Sequence, residues 1–84
     1  GQVAEFDHVK VGMAEAVATG LFQCVKIERL VAKGAATVKC HLASGQLVTL
    51  VVDVKSKKLV GAGLFGKDGA CSKSLGQFHC PAPA

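Results

Sequence analysis

The chain changes its hydrophobic rhythm near Gly20. Before it, Val9, Met13, Ala16 and Val17 recur at helical intervals, with Phe6 ahead of them and Leu21 behind. That spacing gives a helix one apolar face. Asp7 suits the N-cap and Gly20 the C-terminal stop, so the pattern predicts a helix over 8–19, or 7–20 with its caps. Gly12 inside it costs about 1 kcal/mol relative to alanine, which leaves the helix in need of tertiary support. After Gly20 the period falls to two, over Phe22–Ala32, Ala35–Ala43, Gln46–Lys55 and Leu59–Phe65. The breaks are Lys33-Gly34, Ser44-Gly45 and Ser56-Lys57-Lys58. Breaks this short make hairpins and leave no room for crossover helices.

The expected fold class is therefore α+β: one N-terminal helix packed on a four-stranded antiparallel meander sheet, braced by two disulfides. Residues 1–84 form a single domain, with the meander over 22–65, a cysteine-tethered tail over 66–80 and a loose end over 81–84. A two-residue turn at Lys33-Gly34 sets Ile27 opposite Cys40, Val25 opposite Leu42 and Glu28 opposite Lys39, the last a favourable charge pair. A three-residue loop with Gly45 at positive φ aligns Leu42, Cys40 and Val38 with Val48, Leu50 and Val52, keeping one face apolar. The same register pairs Val54, Val52 and Leu50 with Val60, Ala62 and Leu64.

Two faces follow. The inner one, to be covered by the helix, carries Val25, Ile27, Val31, Val38, Cys40, Leu42, Val48, Leu50, Val52, Val54, Val60, Ala62 and Leu64. The outer one carries Lys26, Glu28, Leu30, Thr37, Lys39, His41, Thr49, Val51, Asp53, Gly61, Gly63 and Phe65. Arg29 has inner parity, so its stem must snorkel or its strand must be distorted.

Composition narrows the class. Hydrophobic residues make up 50% of the chain and charged ones 19%, which excludes a disordered chain. Eighty-four residues form a small core that benefits from covalent support. Cys24, Cys40, Cys71 and Cys80 are an even set without metal-type spacing, which favours two disulfides and a secreted, extracellular location. Cys24 and Cys40 lie about 10 Å apart in the expected register, beyond the reach of a disulfide. Both should then tie to the tail, as 24–80 with 40–71 or as 24–71 with 40–80. No signal-peptide pattern is present, so a secreted chain is expected here in its mature form. The apolar run Val48–Val52 is too short to span a bilayer, so no membrane insertion is expected. The net charge of +4 suits an anionic partner, yet the absence of Trp and Tyr removes the usual base-stacking platforms.

The string Gly61-Ala62-Gly63-Leu64-Phe65-Gly66 satisfies G-x-G-x-x-G. A dinucleotide loop needs those glycines between a strand and a helix, whereas here they lie inside the fourth strand, so no nucleotide is expected. Glycines alternating on the outer face leave a trough beside Thr49 and Asp53 instead. His41 and Asp53 are the candidate acid–base pair if the chain is an enzyme. Cys40-His41 and His79-Cys80 are adjacent residues that a strand points to opposite faces, so neither a metal nor a cofactor is expected.

The segment from Val51-Val52-Asp53 to Cys80, with Gly69-Ala70-Cys71-Ser72-Lys73-Ser74 and Gln77-Phe78-His79-Cys80, resembles the small secreted microbial guanyl-specific ribonucleases. It also resembles the RNase-like effectors of pathogenic fungi. In the enzymes a histidine precedes the glycine-bearing loop, where this chain reads Gly63-Leu64-Phe65-Gly66-Lys67. Their Tyr-Pro-His element has Lys39-Cys40-His41 as its nearest approach. With the catalytic set largely missing, the resemblance implies a non-enzymatic, effector-type virulence protein that binds a host protein or RNA. The alternatives are a ribonuclease using His41 and a cationic antimicrobial or protease-inhibitory protein. For the last, Leu30-Val31-Ala32-Lys33-Gly34 resembles the first inhibitory loop of cystatins. The binding residues expected on the outer face are Lys26, Lys39, His41, Thr49, Asp53, Gly61, Gly63 and Phe65.

Overall fold

The computed structural model describes residues 2–81, with side chains described from residue 4 onward. The elements are α1 (Gln2–Glu5), a 3-10 turn (Phe6–His8), α2 (Glu15–Gly20), β1 (Cys24–Ala32), β2 (Ala35–Leu42), β3 (Leu47–Asp53), β4 (Leu59–Phe65) and β5 (Cys71–Gly76). All five strands form one antiparallel sheet in chain order. The meander is thus as expected, with one strand more.

The single long helix is not formed. Gly12 sits at φ +93°, a left-handed conformation that breaks a right-handed helix. From Gly12 to Glu15 the chain bonds to the sheet instead. The Gly12 N–H donates to the Leu59 carbonyl at 2.8 Å, the Leu59 N–H to the Met13 carbonyl at 2.7 Å, and the Glu15 N–H to the Lys57 carbonyl at 2.9 Å. Only α2 remains helical beyond this point, and it ends at Gly20. The inner face is covered by Phe6, Val9, Ala18 and Phe22, which join Val38, Cys40, Leu42, Val48, Leu50, Val52, Leu59, Ala62 and Leu64 in the buried core.

The first hairpin turns at Lys33 (φ 52°) and Gly34 (φ 78°), the two positive φ values a tight right-twisted hairpin needs. Ile27 faces Cys40 and Glu28 faces Lys39, as expected. Val25 does not face Leu42, because a bulge there places Cys24 opposite Leu42. The second loop is three residues with Gly45 at φ +92°, but it closes one residue early on each side. Cys40 therefore pairs with Val48 and Val38 with Leu50. On the next strand Leu50 pairs with Ala62 and Val48 with Leu64. These are two-residue slips, and the period of two keeps the same face inside. A second bulge between Val51 and Val52 sets Val52 opposite Leu59, so Leu59 is buried where Val60 was expected.

The bulge at Val25 also overturns the expected disulfides. It shortens the offset along the strand and bends it, bringing the Cα atoms of Cys24 and Cys40 to 5.2 Å, well within bridging distance. The pairs are Cys24–Cys40 and Cys71–Cys80. The tail is held by pairing rather than by tethers to β1 and β2, because its residues 71–76 form β5 on the edge of β4. Of the loose end, Pro81 is exposed and residues 82–84 lie outside those described.

Candidate functional site

The outer face departs most from expectation between β3 and β4. The expected trough over Gly61 and Gly63 is filled by the chain's own tail. A Cβ at Gly63 would run into the ring of Phe78, and one at Gly61 into the backbone of Gln77 and Phe78. Phe78 also meets Phe65 edge to face, with ring centroids 5.9 Å apart, a favourable aromatic geometry. Thr49, opposite Gly63, is consequently buried. Thr49, Gly61 and Gly63 are therefore packing positions, and the two glycines exist to admit Phe78.

Asp53 has a local task. Its carboxylate accepts the Ser56 N–H at 2.8 Å, and its carbonyl accepts the Lys57 N–H at 2.8 Å, closing the β3–β4 turn. The Ser56 bonds hold the Asp53 carboxyl below its ordinary pKa. His41 lies opposite Leu47, six residues from Asp53 along β3, or ~20 Å. The two are not brought together.

The partner that His41 does have was not anticipated. Its Nε2–H donates to Glu28 Oε1 at 2.6 Å, across the β1–β2 pair and one step diagonal to the Glu28–Lys39 pairing. This bond is the largest cause lowering the Glu28 pKa, with Lys26 next. Lys26, Lys39, Glu28 and His41 thus form one polar cluster at the β1 side of the outer face. The diagonal contact was readable in principle, since it follows once Glu28 is set opposite Lys39.

The inner face of β1 is the other open region. Val25 (68% exposed), Ile27 (54%) and Val31 (57%) stand in solvent, as does Leu30 (66%) on the outer side. Val25, Ile27 and Val31 were expected under a long helix; α2 is too short to cover them. Between α2 and the sheet runs a groove of about 610 Å³, floored by Ile27 and Val38 and walled by Ala14, Ala16, Thr19 and Gly20. Glu15 and Arg29 close one side. Arg29 Nε donates to Glu15 Oε2 at 3.0 Å and Nη2 to Oε1 at 3.2 Å, a two-pronged pair that further raises the arginine pKa. This explains Arg29 on the inner side, where it fastens α2 to β1.

Among the described residues no group of three or more His, Cys, Asp or Glu side chains is placed to hold a metal ion, and no helix is long and apolar enough to cross a membrane. The two disulfides are compatible with an extracellular protein. Comparison of the chain with protein-family models, curated proteins and solved structures finds no match.

Proposed function

We propose that this chain is a secreted, non-enzymatic interaction module, of the effector type implied by its resemblance to RNase-like effectors, and that it binds a protein partner through β1. One observation carries this reading. Val25, Ile27, Leu30 and Val31 are all more than half exposed on a single edge strand that continues into an apolar groove. Scattered exposed apolar residues are normal, whereas here they gather on one edge strand, with Ile27 and Val31 flanking Arg29 on the inner face, Leu30 on the outer face and Ile27 lining the groove, as a contact surface would. The small side chains walling the groove and the Arg29–Glu15 pair at its side suit an apolar side chain entering from the partner. The outer-face lysines supply the cationic surroundings.

A second reading, a ribonuclease using His41, is favoured by one contact: the Glu28 carboxylate held 2.6 Å from the imidazole, as a base and its orienting group would be. Two measurements separate the readings. The folded chain is expected not to cleave RNA. Cleavage that His41→Ala abolishes, with circular dichroism unchanged, would establish the enzyme instead. The native chain is also expected to bind an apolar fluorescent dye, and Ile27→Asp/Val31→Asp to lose most of that signal. Equal dye binding by the variant would remove β1 as the contact surface.

A further inference from the structure

The sheet ends at β1, so among the described residues no strand lies beside the edge of that strand turned away from β2. A long edge strand presents a row of unpaired N–H and C=O groups, a template for pairing with another chain. We propose that this edge pairs with β1 of a second copy, antiparallel about a two-fold axis normal to the sheet and centred on Ile27. The proposal rests on the reading of β1 as the contact strand and names the occupant of its edge.

Self-complementarity of charge selects both the partner and the register. A two-fold normal to the sheet keeps inner face with inner face, and therefore must centre on a residue. Centring on Lys26, Glu28 or Arg29 would place a charge opposite its own copy, which is destabilising. Centring on Leu30 would set Glu28 opposite Ala32 and Arg29 opposite Val31, with no opposite charges across the axis. Centring on Ile27 pairs Lys26, Ile27 and Glu28 of each copy regularly, with the bulge at Val25 falling just outside that stretch on either side. On the inner face Ile27 meets Ile27, two side chains that are more than half exposed in the monomer. On the outer face Lys26 meets Glu28 of the other copy, and the axis repeats that pair. Glu28 already faces Lys39 on β2, so each glutamate would stand between two lysines. The result is a continuous ten-stranded sheet, twice the five of one copy.

Sedimentation across micromolar to millimolar concentrations tests this with charge variants at exposed sites. The wild type is expected to dimerise. Lys26→Glu sets Glu against Glu twice across the axis, and Glu28→Lys sets Lys against Lys twice. Each is expected to weaken the dimer by about tenfold or more. The double variant Lys26→Glu/Glu28→Lys restores opposite charges and should dimerise again. An equimolar mixture of the two single variants should form a heterodimer that neither forms alone. A wild type that stays monomeric at millimolar concentration would overturn edge pairing, and dye binding lost on Ile27→Asp/Val31→Asp would show that the apolar strip nevertheless stands. Single variants that dimerise like the wild type, or a folded mixture that fails to associate, would overturn this register.

Discussion

Phe78 and Gly63 show how one side chain can set the meaning of another. A methyl group added at Gly63 collides with the Phe78 ring, and overpacking of this kind costs about 1–3 kcal/mol. Gly63→Ala should destabilise by that amount in chemical denaturation, and by less than about 0.5 kcal/mol once Phe78→Ala has vacated the space. Additive losses would mean that the ring does not rest on Gly63. The carboxylates make a second prediction. Glu28 and Asp53 both titrate below their ordinary values of 4.5 and 3.8, so the folded state favours their charged forms. Their stabilisation is complete above the ordinary carboxylate range and is lost as pH falls through the lowered folded values. The melting temperature should therefore hold steady from neutral pH to about 5 and fall below it. The fall should be shallower in Glu28→Gln/Asp53→Asn, and an unchanged slope would contradict the role given to the two contacts.

Gly12 decides between two structures for the N-terminal segment. In a continuous helix Gly12→Ala would stabilise by about 1 kcal/mol. In the observed left-handed turn, with open space around the Cα, it should destabilise by about 1–2 kcal/mol from backbone strain alone. Urea denaturation reads the sign. Each disulfide makes a comparable prediction. Replacing Cys24 and Cys40 by alanine opens a 16-residue separation and should cost about 3 kcal/mol on loop-entropy grounds. The hairpins were legible because Lys33-Gly34 and Ser44-Gly45 announce themselves, and a period of two survives a two-residue slip with the same residues inside. The helix was misread because the spacing of Val9, Met13 and Val17 imitates a stripe, although Val17 is more than half exposed. Two further features leave no mark in the apolar pattern. The strand β5 is polar apart from Cys71 and Leu75, and the bulge at Val25, which decides the disulfides, is a backbone event. The candidate site suffered accordingly. Lys26, Lys39 and His41 were placed correctly on the outer face, but the trough was lost to a tail whose path depended on β5.

For the molecule as a whole, the short α2 leaves β1 as an uncovered edge and an apolar strip, while the opposite edge, β5, carries Ser72, Lys73 and Ser74 in exposed positions. That asymmetry predicts that association runs through one side of the sheet only. Amide hydrogen exchange at low and high protein concentration reads this directly. The account predicts added protection confined to Cys24–Ala32 as concentration rises, with β5 unchanged. Protection that appears along β5, or nowhere, would contradict self-association through the β1 edge.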